Sequence, residues 1–503
     1  MEYVLAFDVG TTSMKCCAYD ENFHIAAEQT AEYALSTPEP GIVEADPEVY
    51  WNGLCSGVRA VLAAGIRPEQ LRAAAMTTQG ETMIALDPSG KPVLPAIVWL
   101  DGRADKEAAE LERAIGRERF HRTTGLPEFS GALPLAKLKW LLAHVPGGRR
   151  VGKVLLLEDY LVWRLTGVFA SESSLLCSTG YLNILSRQYD ADFLTAAGAA
   201  PSLLPEILPP GTIAGCVSAE AARASGLIAG TPVCCTAMDQ TASAIGAGNI
   251  RPGVVTETTG TCLTVTATAR EPNFDLPVPL QYYTHFDGQY LALSFSPTAA
   301  MILKWFKDRF LADSADARAS GQNIYEYMSS LAAAVPAGCG GLLLLPHFAG
   351  KAMPRSVPGM RGAFWGLGLD TTRGSMIRAV MEGVAFSLRE HLDSFQAAGI
   401  PVSEIRALGG GAKDELWCEI KACAAGRPIQ LTESQETTSL GAAILAAHAL
   451  GDGSVEELCS RAVRLERRFV PDAALQTQYD RFYQNYLRLD RLASEYYSDA
   501  ADK

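Results

Sequence analysis

Residues Tyr3–Tyr19 read YVLAFDVGTTSMKCCAY: an apolar run ends in Asp8, a turn centred on Gly10 carries the hydroxyls of Thr11, Thr12 and Ser13, and a second apolar run leaves after Lys15. The pattern predicts a hairpin with a polar tip. Backbone N–H groups at a glycine-relaxed turn can face an anion, the hydroxyls add donors and Lys15 adds positive charge. Asp8 is placed to hold a metal ion against the same phosphates. Gly, Asp and Thr are also common in ordinary tight turns, so this stretch alone supports a plain hairpin and a phosphate grip equally.

The arrangement recurs at Gly253–Ala269, GVVTETTGTCLTVTATA, with Thr259, Gly260 and Thr261 at the turn. Two such hairpins about 250 residues apart predict two similar domains facing one nucleotide. The boundary belongs within 246–252, dividing the chain into residues 1–248 and 249–503.

Between the hairpins the chain alternates strands and helices, which predicts α/β domains with mixed sheets. Pro47–Ala64 reads as a helix capped by Asp46, and Leu71–Thr77 as a strand. After that strand come Gln79, Gly80 and Glu81, at the strand end where α/β sheets bind ligands. They suit a hydroxylated substrate as well as they suit a solvated turn. Ala96–Arg103, AIVWLDGR, brings an apolar strand to Trp99, which can stack on a sugar or simply pack. The run Ser171–Thr179 is rich in hydroxyls, which can line a pocket, and a solvated loop is the safer reading. Asp239 stands at a strand-to-helix junction, a usual place for a cap. Further on, Gly409, Gly410 and Gly411 at a strand-to-helix turn allow backbone to approach a phosphate or flat ligand, and the small-residue helix Ser439–Leu450 is expected to pack there.

Composition excludes several classes. With 48% hydrophobic and 20% charged residues the chain resembles a globular protein, and no apolar run reaches the roughly 18 residues of a membrane span. A net charge of −13 without a basic cluster argues against nucleic acid. The N-terminus has no signal-peptide pattern, so a cytoplasmic location with no membrane partner is expected. The twelve cysteines contain no CxxC pair and read as buried free thiols. There is no Walker A motif and no complete GxGxxG fingerprint.

The ordered motifs DVGTTSMK, WLDGR, AMDQ, TTGT, MRGAFWGL and LGGGAKDELW resemble those of the FGGY family of carbohydrate kinases over nearly the whole chain. The resemblance implies two ribonuclease-H-like domains of the actin and hexokinase type, with ATP in the cleft between them and a small sugar or polyol mostly against the first. It implies that Asp239 is the catalytic base and that Asp8 and Asp239 place Mg2+. Gly10, Thr11, Thr12 and Lys15 would meet the phosphates from one side, and Thr259, Gly260 and Thr261 from the other. Gly410, Gly411 and Glu415 would lie around the adenosine, and Gln79, Gly80, Glu81, Trp99, Asp239 and Gln240 around the sugar. Xylulokinases of this family typically carry Met-His where this chain has Gln79-Gly80, and glycerol kinases carry Arg-Glu where it has Gly80-Glu81. Their aromatic substrate residue aligns near Ala132. The small Gly80 and Ala132 are expected to leave room for a substrate larger than a triol, a ketopentose such as xylulose first, with glycerol, a tetritol or pentitol, or an aldonate as alternatives. A homodimer is compatible with this reading. A catalytically silent sugar sensor on the same fold is the alternative of another class.

Overall fold

The computed structural model describes residues 1–145, 151–311 and 315–501. Two mixed sheets carry the architecture. The first is built from β1 (Tyr3–Val9), β2 (Ser13–Tyr19), β3 (Ile25–Glu32), β4 (Leu71–Thr78), β5 (Thr212–Cys216) and β6 (Pro232–Cys235), in the order β5-β6-β4-β1-β2-β3. From β3 to β1 the strands run antiparallel; β4 and β6 then join parallel to β1, and β5 closes the edge antiparallel.

The second sheet repeats the scheme with β7 (Gly253–Thr259), β8 (Leu263–Ala269), β9 (Gln281–Thr284), β10 (Tyr290–Ser296), β11 (Val402–Leu408), β12 (Ile429–Thr432) and β13 (Leu465–Phe469). Its order is β9-β10-β8-β7-β11-β12-β13, and β7, β11 and β12 form the parallel part. The two hairpins read from sequence are therefore β1–β2 and β7–β8, at matching places in the two sheets. In each, the next strand to pair with the hairpin's first strand is parallel, so the tip projects beside the carboxyl end of that neighbour, where βα connections leave room for ligands.

Local sequence explains the main helices. In α1 (Pro47–Ala63), Asp46 accepts a hydrogen bond from the Glu48 N–H at 3.0 Å and Pro47 opens the first turn. Its buried Tyr50, Leu54, Val58 and Val61 lie at helical spacing and face the first sheet. The helix α2 (Leu157–Thr166) stops at Gly167, which takes the left-handed conformation. The remaining helices that matter here are α3 (Asp239–Gly246), α4 (Ala300–Phe306), α5 (Ile324–Ala333), α6 (Arg373–Ala397), α7 (Glu415–Ala425), α8 (Thr437–Ala449) and α9 (Ala473–Ala501). Among the described residues no helix is long and apolar enough to cross a membrane.

Two expectations are corrected. The helix α8 does not pack behind the Gly409–Gly411 turn. It lies on α3, β1 and β4, sharing a core with Ala6, Ala75 and Ile245, because a helix with Gly441, Ala442, Ala443 and Ala446 permits a very close approach to the equally small α3. Residues 171–179 are not a solvated loop. Ser171, Ser173, Ser174, Ser178 and Thr179 are all buried. The hydroxyls of Ser174, Ser178 and Thr179 satisfy backbone and carboxylate groups: Glu172 accepts from the Ser174 N–H at 2.6 Å and from the Ser174 hydroxyl at 2.8 Å.

Glu158, Asp159 and Glu172 form a buried acidic cluster behind β6. Among the described residues neither carboxylate oxygen of Glu158 has a well-formed hydrogen bond. Burial, then the charges of Glu172 and Asp159, hold Glu158 well above the carboxylate range; burial, reinforced by the charge of Glu172, pushes Asp159 up to about 7 against its hydrogen bonds. A carboxylate whose pKa is higher folded than unfolded gives stability that is complete below its unfolded value and is lost as pH rises through its folded value. Thermal stability is therefore expected to decline from mildly acidic to alkaline pH, and Glu158→Gln to flatten that decline and raise the melting temperature at pH 8. A melting series from pH 5 to 8.5 checks this; a variant that melts lower than wild type throughout would contradict it.

Candidate functional site

Asp8 ends β1 opposite Lys15 of β2, and the Gly10 N–H closes the tip on the Ser13 carbonyl at 2.9 Å. The Gly260 N–H closes the second tip on the Cys262 carbonyl at 2.9 Å in the same way. Both glycine amides are thus committed to their turns, and Thr12 and Thr261 are the exposed residues of the two tips. The first tip is held from below by Tyr33, whose hydroxyl donates to the Gly10 and Ser13 carbonyls. At its side, the Trp99 indole N–H donates to the Thr11 hydroxyl at 2.9 Å. Trp99 is 38% exposed and its ring is not core packing. Only Ala96–Ile97 of AIVWLDGR is strand. Asp101 and Arg103 pair with each other at 2.7 Å and with the fold, leaving Trp99 as that motif's contribution to the site.

Asp239 is the first residue of α3, not its cap, and its carboxylate accepts from the Gln240 N–H at 2.6 Å. Met238 before it is fixed by an N–H donated to the buried Ser174 hydroxyl at 3.0 Å. Asp8, Asp239 and Glu81 act on one another electrostatically. Burial, then the charges of Asp239 and Glu436, push Asp8 up to about 7. Burial, opposed by the Gln240 N–H and reinforced by Glu81, pushes Asp239 up to about 7. Two desolvated carboxylates with no full countercharge fit a divalent cation. Among the described residues no group of three or more His, Cys, Asp or Glu forms a metal cage. Magnesium asks for less: one or two carboxylates, completed by phosphate oxygens and water.

Glu81 has φ of +55°, a left-handed conformation that a non-glycine residue holds only where its surroundings fix it. The fixing group is Lys137, whose ammonium is fully buried and donates to the Val98 carbonyl at 2.9 Å and to the Glu81 carbonyl at 3.3 Å. One lysine therefore ties the Glu81 turn to the segment that carries Trp99. Burial holds Glu81 above the usual carboxylate range, with Lys137 and the Ser178 hydroxyl opposing. A hydroxylated substrate held by the charged Glu81 carboxylate would accordingly bind more weakly as pH falls toward 5, beginning well above an ordinary glutamate's pKa, because Glu81 loses its charge early. Calorimetric titration of the sugar without nucleotide at pH 5.5 and 8 checks this, and Glu81→Gln should show a weaker, flatter profile.

Gly80 does not open the site. A Cβ there would stand 2.8 Å from Ser178 Oγ and 3.1 Å from Met238 Sδ, so the space is already filled from within the protein. Gln79 is buried against the Tyr50 hydroxyl, and neither group has a well-formed hydrogen bond among the described residues. Gln79 therefore stands beside the α1 core. A cavity of 390 Å³ adjoins Glu81, lined also by Glu128, Gln281, Met353 and Arg355.

The expected phosphate and adenosine residues divide. Lys15 is engaged with Glu436 at 2.6 Å, both about 70% buried, an ion pair joining β2 to the start of α8. The Thr259 side chain points inward and is fully buried, its hydroxyl donating to Glu257 at 2.6 Å and accepting from Lys421 at 2.8 Å. Only the Thr259 backbone remains for a ligand. The second tip is held against the start of α4, where the Ala299 and Ala300 N–H groups donate to the Thr261 and Gly260 carbonyls at 2.9 Å. Directly beyond is a cavity of 720 Å³, lined by Ala300, Tyr325, Ser329, Gly410, Glu415 and Trp417. Gly410 and Glu415 thus line one wall, with Glu415 paired to Arg467. Gly411 is buried against Thr259, where a Cβ would meet the threonine side chain at 2.6 Å. Sequence reading missed the roles of Lys137, Lys421 and Glu436. The first two lysines sit on the apolar faces of their helices, beside Leu138 and Leu141 or Trp417 and Cys418, and that misplacement of charge is the signal available in sequence.

Comparison with known proteins finds similarity along nearly the whole chain. Residues 3–246 match the model of the FGGY family of carbohydrate kinases, N-terminal domain, and residues 255–450 match that of the C-terminal domain. A glycerol kinase from Trichlorobacter lovleyi is 33% identical over 492 residues, covering 94% of this chain and 95% of that protein. A gluconokinase from Bacillus subtilis is 27% identical over 504 residues, covering 99% of this chain and 98% of its own length. The crystal structure of xylulose kinase from Rhodospirillum rubrum superposes with a TM-score of 0.91 at 29% identity, covering 99% of this chain and all of that one.

Proposed function

The chain belongs to the FGGY family of carbohydrate kinases, which are ATP-dependent sugar phosphotransferases, and on that basis we propose that its substrate is a ketopentose such as xylulose, phosphorylated on a hydroxyl that faces Asp239. The observation that carries the substrate size is the 390 Å³ cavity beside Glu81, which extends the site past the length of a triol. This replaces the expected room at Gly80, which Ser178 and Met238 occupy. Glu81 and Trp99 form the sugar-facing wall, braced by Lys137. Arg355 in the same cavity favours an aldonate as the second reading, since a guanidinium pairs with a carboxylate.

In this reading the division at residues 248 and 249 separates a sugar-binding half from a nucleotide-binding half. ATP lies with its adenosine in the 720 Å³ cavity and its phosphates between Thr11–Thr12 and Gly260–Thr261. Asp8 and Asp239 would hold Mg2+, which when bound would neutralise charge on the phosphates. Asp239 accepts the proton of the attacking hydroxyl as the oxygen–phosphorus bond forms, and the bond from the γ-phosphorus to the bridging oxygen breaks to release ADP. Lys15 exchanges Glu436 for phosphate when nucleotide arrives, because a triphosphate offers a denser charge than one carboxylate. Closure of the halves excludes water that would otherwise compete for the phosphoryl group.

ADP release measured with xylulose, ribulose, glycerol, erythritol, ribitol and gluconate tests the assignment. The highest kcat/KM is expected for a ketopentose. Preference for gluconate would select the aldonate reading, and preference for glycerol would overturn the argument from cavity size.

A further inference from the structure

We infer that Lys421 is a positioning residue for the nucleotide, setting the second hairpin tip and the wall of the 720 Å³ cavity in one fixed relation through its buried pair with Glu257. The inference rests on the placement of ATP proposed above.

The geometry is a closed triangle. The Lys421 ammonium, on α7, donates to Glu257 Oε1 at 2.7 Å and to the Thr259 hydroxyl at 2.8 Å; that hydroxyl donates to Glu257 Oε2 at 2.6 Å. Both charged side chains have no solvent exposure. Glu257 and Thr259 lie on the last turn of β7 before Gly260, so the triangle determines where the tip leaves the sheet. The same ammonium stands 5.0 Å from the ring centroid of Trp417, which lines the cavity. It also lies 3.2 Å from where a Gly411 Cβ would be, so the glycine turn closes directly over it. One cation thus touches the tip, the glycine turn and the cavity wall.

A fully buried ion pair contributes little net stability, because removing both charges from water offsets their attraction. What this pair adds is registry. Thr259 spends its hydroxyl on the triangle and has none for the phosphates, so its effect on a nucleotide passes through Lys421 and Glu257. A ligand that bridges the tip and the cavity senses any slippage between β7 and α7, whereas a sugar against Glu81 does not.

The test uses the full-length chain, with ADP as the probe in titration calorimetry. Lys421→Met leaves Glu257 buried and unpaired and is expected to lower the melting temperature as well as ADP affinity. Glu257→Gln/Lys421→Met removes both charges and is expected to regain the melting temperature while ADP still binds at least tenfold more weakly. The KM for ATP should rise by a similar factor, with kcat at saturating ATP and the sugar KM changing less than threefold. A double variant that binds ADP as wild type does would overturn the inference and leave Lys421 a residue of the fold. Ala333→Trp, projecting into the same cavity, separates the two claims. If it abolishes ADP binding while the double variant does not, the nucleotide site stands and the positioning role falls; if ADP binds normally to a folded Ala333→Trp, the site itself is misplaced and the inference falls with it.

Discussion

Asp239→Asn is expected to bind metal-free ADP with unchanged affinity and to turn over sugar at least about 100-fold more slowly, the scale of a lost general base. The substitution is conservative in the fold. Asparagine keeps the volume of aspartate and an oxygen to accept the Gln240 N–H at 2.6 Å, and Met238 remains tied to Ser174. What disappears is an atom able to take a proton. Asp239 is well tuned for that task, since burial lifts it to about 7 and a base near the working pH is both unprotonated and strong enough to matter. Turnover is followed as ADP release and nucleotide affinity by calorimetry on the same preparation. Near-normal turnover in a variant that binds ADP would remove Asp239 from the catalytic role.

The features that sequence showed most clearly are those whose signals are local. The strand–turn–strand patterns at Tyr3–Tyr19 and Gly253–Ala269 were legible because each tip announces itself within a few residues, and their placement as β1–β2 and β7–β8 of matching sheets follows from the repeat. The Asp46 cap and the Gly167 stop were legible for the same reason. Features that depend on partners far along the chain were not. Gly80 looks like spare room until Ser178 and Met238 arrive from about 100 and 160 residues away. Thr259 looks like a phosphate ligand until Lys421 claims its hydroxyl. The hydroxyl-rich run at 171–179 looks solvated because serine and threonine usually are, yet each of its hydroxyls finds a backbone, carboxylate or neighbouring side-chain partner once β6 and α3 cover it, except that of Ser171, which has none among the described residues. Motif order identified the family, while the orientation of each motif residue required the fold.

The helix crossing that sequence misassigned leads to the second large effect. Gly246 of α3 and Gly441 of α8 face each other across a very close helix contact, where a Cβ on Gly441 would fall 1.9 Å from the Ala242 carbonyl oxygen and one on Gly246 would fall 1.8 Å from that of Thr437. These obstacles are backbone atoms, which cannot rotate aside as a side chain could. Gly441→Ala must therefore push α8 and α3 apart, even though alanine is the better helix former by about 1 kcal/mol. Overpacking of a tight interior costs about 1–3 kcal/mol where side chains can adjust, and the upper end or more is expected here. The consequence reaches the site because Asp239 is the first residue of α3 and Glu436 immediately precedes α8, so one displacement moves the base and the partner of Lys15 together. We expect Gly441→Ala to melt several degrees below wild type and to lose at least tenfold in kcat at a temperature where it remains folded, with KM for ATP changing less. Gly359→Ala, whose Cβ position meets open space and whose backbone is unstrained, should match wild type in both measurements. A Gly441→Ala variant with wild-type melting and kcat would mean that α3 and α8 separate at no cost, and that the position of Asp239 does not depend on the crossing.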